Sequence, residues 1–342
     1  MEHSLDLTYH WAGFSALVVF VIAYAFVMAE EFTHLRKSKP VVLAAGLIWG
    51  MIAIAYSNTP HYEMVEHEIR HSFLEYTELA FFLLVAMTYI NALEERNVFN
   101  SLKSWLIKNQ FSYRQLFWIT GVLAFFLSPL ADNLTTALVL CAVVVAVGSS
   151  SPKFVGLACV NIVVAANAGG AFSPFGDITT LMVWQAGQLD FLQFFALVIP
   201  SVVNYIIPAS IMHFFVSDHK PDVAETSVTI KYGGKTIILL GLLTIVTAVS
   251  FHNFLHLPPV FGMMTGLAYL QLYSFYIKIS VKDIEEQKYD FFENVARVEW
   301  DTLLFFFGVI LSVGGLGFIG YLEYVSEFMY TDLGATTANV LV

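Results

Sequence analysis

Five stretches of this chain, 7–29, 40–62, 191–217, 236–277 and 302–322, contain no charged residue. A helix needs roughly 20 apolar residues to cross a hydrocarbon core of about 30 Å. Each stretch therefore holds at least one crossing, and 236–277, punctuated by His256-Leu-Pro-Pro259, holds two. Lipid offers the backbone no hydrogen-bond partners, so such segments must be helices. With 58% hydrophobic and 13% charged residues, a soluble globular class is excluded. The predicted fold is an all-α polytopic membrane protein with membrane lipid as its surroundings. The net charge of −11 sits mostly on loop carboxylates, and no basic patch points to nucleic acid. Cys141 and Cys159 lie in apolar stretches, which argues against a disulfide framework or a cysteine metal site. Residues 1–10 lack the basic flank of a secretory leader, so the first run reads as a retained span.

Lysine and arginine set the orientation, because they concentrate on the cytoplasmic side. With the N-terminus outside, 11–29 crosses inward, 40–57 outward and 73–93 inward again. The next apolar pieces, 115–127 and 135–148, are each about 14 residues, or roughly 20 Å at 1.5 Å per residue. That is short for a crossing and predicts a re-entrant helical hairpin with Ser128–Thr135 at its tip. Residues 154–188 are too many for one plain helix and are interrupted by Asn167-Ala-Gly-Gly-Ala-Phe-Ser-Pro174. They are expected to form one crossing as a discontinuous transmembrane helix of two halves. Under this topology every one of the 16 basic residues except Arg70 is cytoplasmic. Two full spans over 154–188 would move the later ones outside.

Within this apolar chain one phrase occurs twice: Ser128-Pro-Leu-Ala-Asp132-Asn-Leu-Thr-Thr136 and Ser173-Pro-Phe-Gly-Asp177-Ile-Thr-Thr180. Ionisable residues inside membrane segments, beside breaks in helices, mark ion or substrate paths. A cation must exchange its water for protein oxygens. The first copy offers Asp132, Asn133, Ser128, Thr135 and Thr136. The second offers Ser173, Asp177, Thr179 and Thr180, with Asn167 just before it. Pro129 and Pro174 are expected to end the preceding half-helices and free backbone carbonyls, while Gly169, Gly170 and Gly176 allow close approach. Burial favours a protonated acid, whereas a helix start and a nearby cation favour the carboxylate. Asp132 poised between these holds a proton or a cation, not both, which suffices for cation/proton antiport with Asp177 as partner. A bland reading exists for each residue. Asp177 with Thr179 and Thr180 is also an ordinary helix cap, Asn167 can bond a neighbouring helix, and Glu78, a candidate proton relay, sits with Glu75 near the outer end of its span. His213 reads as interfacial.

Glu75-Tyr-Thr-Glu-Leu-Ala-Phe-Phe82 resembles Glu299-Trp-Asp-Thr-Leu-Leu-Phe-Phe306, and the same offset carries 11–29 and the second span onto the two spans after Lys235. The paired segments run in opposite directions, the signature of inverted repeats. A matching second hairpin would follow 302–320 and a helix starting near Gly334, so the second repeat is expected to be incomplete within this sequence. The expected division is 1–114 for scaffold helices of the first repeat and 115–190 for the hairpin and broken helix as transport core. Residues 191–235 form a span and cytoplasmic linker, and 236–342 open the inverted second repeat.

Three segments carry a resemblance: Thr88-Tyr-Ile-Asn-Ala-Leu-Glu-Glu-Arg-Asn97, Ser128-Pro-Leu-Ala-Asp-Asn133 and Asn167-Ala-Gly-Gly-Ala-Phe-Ser-Pro-Phe-Gly-Asp-Ile-Thr-Thr180. Over essentially its whole length the chain resembles NhaD-type sodium/proton antiporters of the ion-transporter superfamily. The resemblance implies a secondary transporter, not an enzyme, that exchanges Na⁺ or Li⁺ for H⁺ without cofactor or resident metal. It implies a bacterial inner membrane or plastid location, two inverted repeats, and functional roles for Ser128, Asp132, Asn133, Asn167, Asp177, Thr179 and Thr180. A homodimer through scaffold helices would suit such a carrier. Family members continue into a second hairpin and second broken helix that this sequence lacks.

Three competing readings remain. His67-Glu68-Ile-Arg-His71 matches the zinc-protease pattern His-Glu-x-x-His, yet Arg70 would place a positive charge beside the metal and no third ligand is evident. Asp132 and Asp177 could suggest an intramembrane aspartyl protease, but Pro174 stands where those enzymes carry the first glycine of Gly-x-Gly-Asp. An anion permease of the same superfamily, of arsenite or dicarboxylate type, would favour hydroxyls and helix N-termini without a central acid.

Overall fold

A computed structural model describes residues 5–220, 228–280, 289–332, 334 and 337. The chain runs through α1 (Trp11–Met28), α2 (Glu30–Thr33), α3 (Ser38–Tyr56), α4 (Tyr62–Glu95), α5 (Val98–Lys108), α6 (Tyr113–Ala131), α7 (Asn133–Val147) and α8 (Pro152–Gly170). It continues through α9 (Ile178–Gln185), α10 (Val198–His213), α11 (Gly234–Leu255), α12 (Pro259–Ser280), α13 (Phe291–Ala296), α14 (Trp300–Ile319) and α15 (Tyr321–Ser326). A 3₁₀ turn, Phe191–Leu197, leads into α10. Among the described residues there is no strand, and nine helical segments are long and apolar enough to cross a membrane. This is a multi-pass, all-helical membrane protein.

The helices gather into two compact units, Met1–Ala80 with Glu299–Val342, and Phe81–Val298. In the first unit the packing surface is made by small residues. α1 buries Ala12, Gly13, Ala16 and Ala23 and turns Phe14, Val18, Val21 and Ile22 outward. A helix in water would do the reverse, whereas in lipid small residues let backbones approach while large ones meet acyl chains. α14 packs on α3, where a Cβ at Gly308 would lie 2.5 Å from the Val41 backbone. Trp49 Nε1 donates to the Leu311 carbonyl at 2.8 Å.

α4 belongs to both units. At 34 residues it is about 51 Å long, well beyond a hydrocarbon core. Its first turns are the charged stretch that holds the His-Glu-x-x-His pattern, where an exposed i,i+4 pair, Arg70 with Glu66 at 2.7 Å, adds about 0.2–0.5 kcal/mol to the helix. His71 faces Glu75 at 3.6 Å. Among the described residues no group of three or more His, Cys, Asp or Glu could hold a metal ion.

At its other end, α4 closes on a buried polar cluster. Arg96, fully buried, pairs with Glu95 at 2.8 Å and stacks over the Tyr289 ring at 4.7 Å. Asn294 donates to Glu95 at 2.6 Å. Burial, with the Glu95 carboxylate beside it, pushes the Tyr289 phenol up.

Two expectations about the breaks need correction. The first hairpin arm is not a short piece ending at 127. α6 has 19 residues, about 28 Å, because it starts at a Ser112 capping box and runs through Pro129 to Ala131. Pro129 sits in the last turn, where it costs the one bond to the Phe125 carbonyl, and the helix stops two residues later. The length argument for a re-entrant hairpin therefore holds for α7 alone, at 15 residues. Pro174 does not end a half-helix either: α8 stops at Gly170 after 19 residues, a whole span in length, and residues 171–177 separate it from the 8 residues of α9. The helix expected near Gly334 lies mostly outside the described residues.

Candidate functional site

The site lies in the second unit, where α6, α7, α8 and α10 share one core. α8 meets α6 along one face: Asn161, Ala165 and Gly169, spaced by four and all buried, lie toward Gly121 and Phe125. Pro129 has no N–H to give the carbonyl four residues back, that of Phe125. Gly169 faces this freed carbonyl so closely that a Cβ there would lie 2.1 Å from it. The loop after α8 then folds back on its own end, with a Cβ at Gly170 falling 2.5 Å from the Gly176 carbonyl.

These approaches bring the two copies of the repeated phrase together. The Asn133 backbone N–H donates to the Gly176 carbonyl at 2.9 Å. The Asn133 side-chain amide donates to Oδ2 of Asp177 and, at 3.1 Å, to Oδ1 of Asn167. Ser173 Oγ donates to the Pro129 carbonyl at 2.8 Å, and Ser128 Oγ, fully buried, donates to the Ala166 carbonyl at 2.6 Å. Thr180 Oγ1 donates to the Ser173 and Asp177 carbonyls, each at 2.8 Å. Each break thus joins the carbonyl end of one helix to the amide end of the next, with partial charges of opposite sign side by side.

Asp132 and Asp177 play parallel local roles. Asp132 caps α7, accepting from the Thr135 N–H at 2.8 Å and from Thr135 Oγ1 at 2.7 Å. Asp177 caps α9 in the same way through Thr179, at 2.8 and 2.7 Å. The cap reading of Asp177 is therefore correct as far as it goes, but Asn133 adds a bond from the other break. Their backbones differ. Asp177 is extended, with φ −151° and ψ 146°. Asp132 has φ 55° and ψ 158°, a region almost reserved for glycine, where a side chain costs about 1–3 kcal/mol.

Thr136, expected to supply an oxygen, is buried, and its Oγ1 has no hydrogen-bond partner. It lies on the first turn of α7, its backbone N–H donating to the Asp132 carbonyl at 3.2 Å. Thr179 and Asn167 are exposed. Glu78 lies half-buried on α4 within the first unit and is not among the residues these bonds connect. Sequence reasoning missed Asn161 and Tyr205. Asn161 Nδ2 donates to the Phe117 carbonyl at 2.9 Å, and the Asn161 side chain lies beside the buried Tyr205 hydroxyl across Gly121. The available signal was a second amide, in addition to Asn167, in an apolar helix, spaced by eight from Gly169. His213, read as interfacial, accepts from Trp118 Nε1 at 3.0 Å.

The citrate transporter family model matches residues 11–342. The chain is 52% identical to the Na⁺/H⁺ antiporter NhaD of Vibrio cholerae serotype O1, over 99% of its own length and 76% of that protein's. It is 51% identical to the Na⁺/H⁺ antiporter NhaD of Alkalimonas amylolytica, over 99% and 74%. Sodium/proton antiporter 1 of Arabidopsis thaliana is 31% identical over 92% of the chain and 54% of that protein. With a family model over nearly the whole chain and half of its residues shared with such relatives, this chain belongs to the NhaD family of Na⁺/H⁺ antiporters, within the wider citrate transporter family.

Proposed function

We propose that this protein exchanges Na⁺, or Li⁺, for H⁺ across a bacterial inner membrane, with Asp132 holding the cation or the proton in turn. One observation carries the reading: Asn133 bonds the second break through both its backbone and its side chain, next to the acid of the first. Two carboxylates, the hydroxyls of Thr135 and Thr136, and helix-end carbonyls form an oxygen-rich, net-negative surround suited to a small monovalent cation. Thr136 Oγ1, buried and unpartnered, is a ready further ligand. A dicarboxylate anion would meet two like charges there, which disfavours the anion-permease reading despite the name of the wider family.

In this proposal Asp132 is the exchange group. Asn133 and Asp177 complete the surround with Ser128, Thr135, Thr136, Asn167, Ser173, Thr179 and Thr180, and Glu78 is a candidate relay. The N-terminus is periplasmic, α6 with α7 forms a hairpin, and α8 with α9 forms one broken crossing. Helix pairing supports the inverted repeats. α14 packs on α3, while α4 donates from Tyr89 to the Gly266 carbonyl of α12 at 2.7 Å. The third helix of each proposed repeat thus packs on the second helix of the other. Scaffold helices that turn large apolar side chains outward suit either lipid or a second copy of the chain.

The test is dequenching of a pH-sensitive dye in everted vesicles on adding Na⁺, Li⁺ or K⁺. Na⁺ and Li⁺ are expected to dequench it. A chain that is inserted and folded yet silent to all three ions would defeat the proposal.

A further inference from the structure

The second unit contains a cavity of about 220 Å³, larger than the roughly 150 Å³ that suffices for an apolar protein cavity to bind benzene. Phe82 and Ala86 of α4, Leu127 and Leu130 of α6, Leu242 of α11 and Met263 of α12 form much of its wall. Two hydroxyls in the lining are already engaged: Thr244 Oγ1 donates to Tyr89 at 2.9 Å, and Tyr89 donates to the Gly266 carbonyl at 2.7 Å. Among the described lining residues Asp132 is the single acid, and none is Lys or Arg.

A bare inorganic cation gains nothing from hydrocarbon walls, because it needs oxygen atoms to replace its water. The walls suit a hydrocarbon tail, and the acid suits a positive head. We propose that this cavity binds a short-tailed organic ammonium ion, its charged head at the Asp132 carboxylate and a tail of about six carbons in the apolar space. Such an ion occupies the acid and excludes the inorganic cation. This competition rests on the exchange reading above, whereas the binding does not. Each methylene moved out of water strengthens binding about fourfold, so the tail supplies most of the affinity and the head supplies position. A neutral acyl chain would fill the same walls without regard to Asp132, and the test separates the two.

Three probes suffice on the purified full chain and in proteoliposomes: hexyltrimethylammonium, tetramethylammonium as head without tail, and hexan-1-ol as tail without charge. Quaternary heads carry no proton and do not discharge a pH gradient by themselves. Hexyltrimethylammonium is expected to raise the melting temperature and to compete with Na⁺ at least about tenfold more strongly than tetramethylammonium, while hexan-1-ol does not compete. G241L and A86L test the cavity itself. A Cβ at Gly241 would meet only Tyr89 ring carbons, at 3.5 and 3.8 Å, so a longer side chain there has room to grow into the cavity. Either variant should weaken hexyltrimethylammonium at least about tenfold and leave the Na⁺ dependence alone. Three results would overturn the proposal: equal potency of the two quaternary ions, competition by hexan-1-ol, or unchanged hexyltrimethylammonium potency in a folded cavity variant. If exchange with inorganic cations is itself absent, the function reading fails while the thermal shift still reports on the cavity. If exchange is intact and no shift occurs, this inference alone fails.

Discussion

At the first break a single residue, Asp132, separates two helices; at the second, residues 171–177 do. Both breaks place Asp at a helix start, and both Asp side chains accept from the backbone and hydroxyl of a nearby Thr. The second break has chain to spare, so Asp177 takes a relaxed extended backbone. The first has none, and the whole change of direction falls on Asp132 at φ 55°. Evolution of a stable fold would place glycine there. A residue kept in a conformation that glycine would adopt more easily is held for its side chain. The contrast makes Asp132 the better candidate for the exchange group and Asp177 the better candidate for a positioning acid.

The largest expected effect separates these roles. D132N should reduce Na⁺-driven exchange about a hundredfold or more, equivalent to ~2.7 kcal/mol. D177N should cost nearer tenfold, since the amide oxygen still caps α9 while its NH2 group no longer accepts from Asn133. Equal losses in the vesicle dye assay would erase the distinction. Next in size is G169A. Its Cβ would fall 2.1 Å from the Phe125 carbonyl, and overpacking of that kind costs about 1–3 kcal/mol. Thermal unfolding in detergent should register it as a clear drop in melting temperature.

Backbone strain is tested by comparing glycine with alanine at each acid. Gly outranks Ala at any helix start, so the informative quantity is the difference between the two sites. Gly should exceed Ala by about 1–3 kcal/mol more at 132 than at 177, read from the same melting curves. No difference would mean that Asp132 is not strained. Smallest is S173A, which removes the bond to the Pro129 carbonyl and should cost about 1 kcal/mol. S128A, which loses the serine bond from α6 to α8, at Ala166, should cost about the same. If joining the breaks matters for exchange, both variants lower the rate more than T180V, whose lost bonds, to Ser173 and Asp177, stay within the second break.

The membrane helices were legible because their signal is long and local. The runs at 11–29, 40–57 and 302–320 became Trp11–Met28, Ser38–Tyr56 and Trp300–Ile319. The breaks were legible as well, from proline, glycine and an acid in apolar surroundings. Their boundaries were not. Proline in a last turn loses one hydrogen bond and lets the helix run on, and Gly169 and Gly170 stay helical because α6 and the returning loop press against them. Both facts depend on a neighbour that the local sequence does not contain. The start of α4 was missed for another reason: charged residues hid a helix that runs on beyond the apolar stretch, with an i,i+4 pair on its exposed face. At the site, the phrase announced which oxygens are present. It did not announce that Asn133 would be the residue to join the copies, because that choice depends on how α6 and α8 cross.

The bonds from Asn133 to Gly176, Asp177 and Asn167, with that from Ser173 to Pro129, have a mechanical consequence. Two chain reversals tied at four points behave as one casting, not as jaws. Nothing between them can open to admit a passenger and shut behind it without severing several of those ties at once. In the proposed exchange the ion at Asp132 is carried in a fixed frame, and the doors that face each side of the membrane are built from other parts of the machine.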